Sequence, residues 1–154
     1  MIPFVRKVSE LQQVKKIIGS CGLIRSPSFK LWMMVEIPSN VILLDQFINV
    51  GIDGVSVGTN DLTMLILGID RDNDTVAPQF DERDEAVYWA LEKIIKTCHK
   101  YNISSSICGQ APSVYPEFTE KLVSWGITSV SVSPDMIEQT RKIIQLAEKR
   151  RVNQ

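Results

Sequence analysis

The chain has 154 residues, 44% of them hydrophobic and 23% charged, with a formal net charge of −1. That balance is enough to bury a core and far from a disorder signature, and it supplies no basic field to hold a nucleic-acid backbone. The longest apolar runs, Leu31 to Val35 and Val41 to Leu44, fall far short of the ~20 residues of a membrane span, so neither nucleic acid nor membrane is an expected partner.

Met1-Ile2-Pro3-Phe4-Val5-Arg6 carries no signal-peptide pattern. Cys21, Cys98 and Cys108 are odd in number and lack metal-type spacing, so reduced thiols in a cytoplasmic protein are expected.

In chain order, Ile2–Val5 reads as a first short strand. Ser9–Ile18 follows as a helix with Leu11, Val14, Ile17 and Ile18 on one face. Leu31–Glu36 is a second strand, Asn40–Val50 a short apolar helix and Gly54–Gly58 a third strand. A loop then leads to the longest helix, Glu85–Tyr101, with Val87, Ala90, Leu91, Ile94, Ile95 and Cys98 on one side. Ile103–Cys108 is a fourth strand. Pro116–Trp125 is a helix whose proline suits a first turn, and Ile127–Val132 is a fifth strand. Asp135–Arg150 closes the chain with Met136, Ile143, Ile144 and Leu146 inward, and with Lys149, Arg150 and Arg151 where cations suit the helix dipole.

Repeated βα units imply parallel strands with right-handed crossovers, and the nearly continuous apolar strands suit a sheet covered on both faces. An open doubly wound sheet and a (β/α)8 barrel both fit. A complete barrel needs about eight strands and 200–250 residues. The five strands therefore read as part of a barrel, in one domain spanning residues 1–154.

In such folds ligands bind beyond the C-terminal ends of the strands. The residues there are Arg6; Glu36; Thr59, Asn60 and Asp61; Cys108, Gly109 and Gln110; and Ser133-Pro134-Asp135. Glu36 and Asp61 are hard oxygen donors of the kind magnesium accepts. Their positions equally suit a strand-end charge and a helix N-cap ahead of Leu62. Cys108 suits a proton donor, a nucleophile or a buried structural thiol. Cys98 reads as core, His99 as a surface or dipole-placed histidine, and Asp81-Glu82-Arg83-Asp84 as charge and capping ahead of the long helix.

Six motifs sharpen the reading. They are Ile2-Pro3-Phe4-Val5-Arg6; Val35-Glu36-Ile37-Pro38-Ser39-Asn40; Gly58-Thr59-Asn60-Asp61-Leu62-Thr63; Leu67-Gly68-Ile69-Asp70-Arg71-Asp72; Phe80-Asp81-Glu82-Arg83-Asp84; and Ile107-Cys108-Gly109-Gln110-Ala111-Pro112-Ser113. In this order, over nearly the whole chain, they resemble the PEP-utilising enzyme family. That family includes phosphoenolpyruvate synthases, pyruvate phosphate dikinases and enzyme I of the phosphotransferase system. The Cys108-to-Ser113 run is similar to the synthase branch.

The resemblance implies the last five βα units of a phosphoenolpyruvate-binding (β/α)8 barrel. It implies that Glu36 and Asp61 hold Mg2+, and that Thr59, Asn60, Asp61, Gly109, Arg71 and, more weakly, Arg6 contact pyruvate or phosphoenolpyruvate. Cys108 would exchange a proton with C3 of the enol. The implied reaction turns ATP, pyruvate and water into AMP, phosphoenolpyruvate and phosphate through a phosphohistidine. The phosphohistidine and ATP-binding domains would be partners supplied outside these residues, so the chain alone is expected to be inactive. A partial barrel leaves sheet edges open, which predicts a homo-oligomer. The alternatives are a dikinase or enzyme I piece, or a non-catalytic dimerisation or regulatory module. Met64 and Ser133 depart from the family's usual Gln and Asn, which bears on hydrogen bonding around the site.

Overall fold

The computed structural model describes residues 1–152, with the side chain of Val152 excepted. The expected mixed α/β order is present. Helix α1 (Val8–Ser20) precedes strand β1 (Trp32–Val35), which is followed by α2 (Pro38–Ile42) and α3 (Leu44–Asn49). Strand β2 (Gly54–Gly58) runs directly into α4 (Thr59–Leu67). After a long loop come α5 (Glu85–Lys100), β3 (Ser104–Cys108), α6 (Ala111–Val114) and α7 (Pro116–Trp125). Strand β4 (Ser129–Val130) and α8 (Ile137–Val152) complete the described residues.

The four strands form one parallel sheet in the order β1-β2-β3-β4. Its register sets Val35 beside Val57 and Gly58 beside Cys108, so the chain leaves β1, β2 and β3 at one common level. Every residue of β2 is buried. Helix α5 covers the sheet with Val87, Ala90, Leu91, Ile94, Ile95 and Cys98, the face that its 3.6-residue period predicts. Burial pushes the Cys98 thiol up to about 12, which suits an inert core residue.

Some elements differ from expectation. The first strand reduces to a single parallel bridge between Ile2 and Met33. Pro3 has no N–H for a ladder, and Phe4 takes a left-handed φ of 49°, which ends the extended run. The fifth strand shortens to two residues, although the Thr128 and Ser131 amides still donate to the Ser105 and Ile107 carbonyls. The Asn40–Val50 helix is two helices, broken at Leu43.

The segment after β2, expected as loop, begins with a helix that Gly68 terminates at φ 65°. No turn residues separate that helix from the strand, so the boundary carries no sequence mark. Two apolar faces are also corrected. Leu146 is 52% exposed, and α8 buries Thr140 and Ala147 with Ile143 and Ile144 half-buried, a clean i, i+3, i+4, i+7 set. In α1, Leu11 is fully buried while Ile17 is 62% exposed.

Among the described residues no helix is long and apolar enough to cross a membrane.

Candidate functional site

The site is assembled where β1, β2 and β3 end. Helix α5 also starts at this end of the sheet, because its far end delivers the chain to the start of β3. Its cap forms as the acidic run predicts: the Asp84 side chain accepts from the Ala86 amide at 2.8 Å.

Glu36 follows β1 and is buried, at 3% exposure. Its Oε1 accepts the Phe4 amide at 2.7 Å, so the left-handed turn at Phe4 that ends the first strand also aims an N–H at this carboxyl. Oε2 lies over Gly58, where a β-carbon would come within 2.6 Å of it. Burial pushes the Glu36 carboxyl up from the ordinary carboxylate range. The Phe4 N–H opposes that shift and the nearby charge of Asp61 adds to it. A buried carboxyl beside a second carboxylate is a donor pair of the kind a hard divalent cation accepts. No group of three or more His, Cys, Asp or Glu residues stands together among the described residues, so any further donors would be amide, hydroxyl, backbone, substrate or water oxygens.

Asn60 and Asp61 lie half-buried in the first turn of α4. Thr59, the first residue of that helix, is fully buried and its hydroxyl donates to the Cys108 carbonyl at 3.2 Å. This bond ties the end of β2 to the end of β3. Gly109 turns the chain at φ 122°, and a β-carbon there would run into the Thr59 hydroxyl.

The Cys108 thiol is partly exposed and doubly held. Ser56 donates its hydroxyl to Sγ at 3.5 Å, and the S–H is directed to the Val57 carbonyl at 3.4 Å. One contact suits a thiolate and the other a thiol, an arrangement that serves a group cycling between the two.

The remaining expected residues are less tightly placed. Arg71 is exposed on the loop after α4, and its charge acts on the nearby Glu82. Arg6 is 70% exposed and pairs with Glu10 at 3.1 Å. Gln110 is exposed. His99 sits at the opposite end of the sheet, exposed in the last turn of α5 as expected, and is hydrogen-bonded through Nε2 to the Gly126 carbonyl at 2.6 Å. Met64 is half-buried in α4, and the Ser133 amide donates to the Ser113 hydroxyl at 3.2 Å.

One residue was missed in the sequence. Glu82, read with its neighbours as surface charge, is 6% exposed and points toward Gly109. A single acidic letter among four charged ones gives no sign that it alone turns inward. Its flanks behave as expected, with Asp81 and Arg83 paired at 2.9 Å on the surface.

A parallel α/β sheet that gathers two carboxylates, a held thiol and a glycine turn at one set of strand ends has the layout of a ligand site in this class of fold. Residues 1–149 match the model of the PEP-utilising enzyme family's PEP-binding domain, and the chain belongs to that family. It is 48% identical over 152 residues to a phosphoenolpyruvate synthase of Aeropyrum pernix and 49% identical over 152 residues to a probable phosphoenolpyruvate synthase of Staphylothermus marinus. It is 45% identical over 150 residues to the phosphoenolpyruvate synthase of Helicobacter pylori. Each match covers 97% of this chain but 18% of the relative, so the chain spans less than a fifth of the length of these proteins.

Proposed function

We propose that the chain supplies the C-terminal βα units of a phosphoenolpyruvate-binding (β/α)8 barrel, and that it carries the pyruvate-handling half of a phosphoenolpyruvate synthase. The observation that carries this reading is the meeting of Glu36, Asp61 and Cys108 around the ends of three adjacent parallel strands. The names of the relatives support the same assignment.

In this reading Cys108 removes a proton from C3 of pyruvate, or returns it in the reverse direction. The C–H electron pair becomes the enolate, whose oxygen takes a phosphoryl group from a phosphohistidine outside this chain. Glu36 and Asp61 would hold Mg2+, which supplies Lewis-acid stabilisation of the charge that develops on the substrate. Ser56 holds the sulfur in its thiolate form, and the Val57 carbonyl receives the S–H in the thiol form. Thr59 and Gly109 fix the loop that faces the reacting carbon. Arg71 and Asn60 complete the polar contacts to the phosphate and carboxylate. Arg6 would add a contact only after release from Glu10.

The test is a chimera in which this chain replaces the matching segment of a curated relative. The chimera should convert ATP, pyruvate and water to AMP, phosphoenolpyruvate and phosphate. Cys108→Ala should lower that rate by about 10²-fold or more. A folded chimera that makes no phosphoenolpyruvate, or one indifferent to Cys108→Ala, would overturn the reading.

A further inference from the structure

The mechanism above makes no use of Glu82. Its carboxyl is buried, and Oε1 completes no hydrogen bond with any described residue. A β-carbon on Gly109 would sit 3.7 Å from that oxygen and would collide with the Thr59 hydroxyl, so the three groups meet at one point beside the Cys108–Gly109 turn. The Thr59 hydroxyl lies close enough to Glu82 to influence its ionisation, and it already donates to the Cys108 carbonyl at 3.2 Å. A hydroxyl owns one proton. It cannot serve the Cys108 carbonyl and an ionised Glu82 at once. Beside a Thr59 proton committed to Cys108, Glu82 can meet Thr59 only as a donor.

We propose that Glu82 is a positioning residue for Cys108: its buried, unpartnered carboxyl needs only a small turn to donate, as a neutral acid, to the Thr59 hydroxyl, which keeps the Thr59 proton on the Cys108 carbonyl and so holds the Cys108–Gly109 turn in place. Burial favours the neutral form, as does the charge of Asp81. The Thr59 hydroxyl and the charge of Arg71 act in the opposite sense. The inference rests on Cys108 being the acid/base of the site.

The test reads the geometry of Cys108 rather than turnover. Cys108 alkylation by iodoacetamide is followed in the full chain by peptide mass mapping, with buried Cys98 as the internal control for folding. Glu82→Gln retains an N–H donor toward Thr59 and should stay within about twofold of the wild-type rate, whereas Glu82→Met and Thr59→Val should each shift it by about fivefold or more. The double variant should go no further than either single change, because both break one linkage. A wild-type alkylation rate in folded Glu82→Met, or effects that multiply in the double variant, overturns the proposal. Should Glu82→Met fail to fold, a Glu82→Gln rate that tracks Thr59→Val instead of wild type overturns it. Failure here leaves the chimera's turnover untouched, and failure of the chimera leaves this rate untouched.

Discussion

Glu36 and Gly58 share one volume: Oε2 of the glutamate occupies the space that a β-carbon on the glycine would need, at 2.6 Å. Gly58 has an ordinary φ of −88°, so its requirement is for room and not for backbone freedom. Gly58→Ala should therefore push the Glu36 carboxyl off the Phe4 amide and cost about 1–3 kcal/mol, the usual range for overpacking a filled site. Chemical denaturation measures the loss. If Glu36 and Asp61 hold Mg2+ as proposed, a Mg2+ titration should show weaker binding in the same variant.

Glu82 supplies a pH-dependent prediction. Its carboxyl is pushed up by burial, so the folded state holds that proton more tightly than the unfolded chain does. The associated stability is complete below the unfolded value of 4.5 and is lost as pH rises through the folded value. Glu82→Gln removes the titration. Its melting temperature should exceed that of the wild type at mildly alkaline pH, and the excess should shrink steadily toward acid. Thermal melts across the pH range check the slope.

Asp53 behaves in the opposite sense. Burial pushes its carboxyl up, but the Arg25 guanidinium, the Leu31 amide and the charge of Lys30 together hold it below the ordinary range. Oδ1 and Oδ2 take Arg25 at 2.6–3.0 Å, and Oδ2 takes the Leu31 amide at 2.7 Å. These contacts brace the entry to β1 and β2. Stability from this carboxylate is present above its unfolded pKa and is lost as pH falls through the folded one. Asp53→Asn should cost about 1–2 kcal/mol near neutrality, with the half-exposed Arg25 limiting the size. The variant should lose less than the wild type on acidification.

The chain by itself should not make phosphoenolpyruvate from ATP and pyruvate. Its only histidine, His99, lies at the far end of the sheet and is held by the Gly126 carbonyl. Purified chain incubated with ATP, pyruvate and Mg2+ should release no AMP above background. AMP and phosphoenolpyruvate formed together, and abolished by Cys108→Ala, would show that a group within these residues carries the phosphoryl transfer.

The sequence by itself determined the βα alternation, the strand that each candidate residue follows, and the apolar face of α5. All of these are periodic or punctuated over a few residues, and local sterics and burial enforce them within that span. The resemblance of six short motifs pointed to the family because motifs record chemistry, and chemistry depends on residue type and order. Only the tertiary structure decided that the first strand shrinks to one bridge, that α4 starts without a turn, and that Leu146 faces out where Ala147 faces in. These outcomes rest on which surface lies opposite, and no local pattern encodes that. The site divides in the same way. The positions of Glu36, Asp61 and Cys108 were legible because each stands at a strand end or within the turn that follows it. The roles of Gly58, Gly109 and Glu82 were not, because each is defined by a group far away in sequence: the carboxyl of Glu36, the hydroxyl of Thr59, and a buried space between two strand ends that exists only after the sheet has formed.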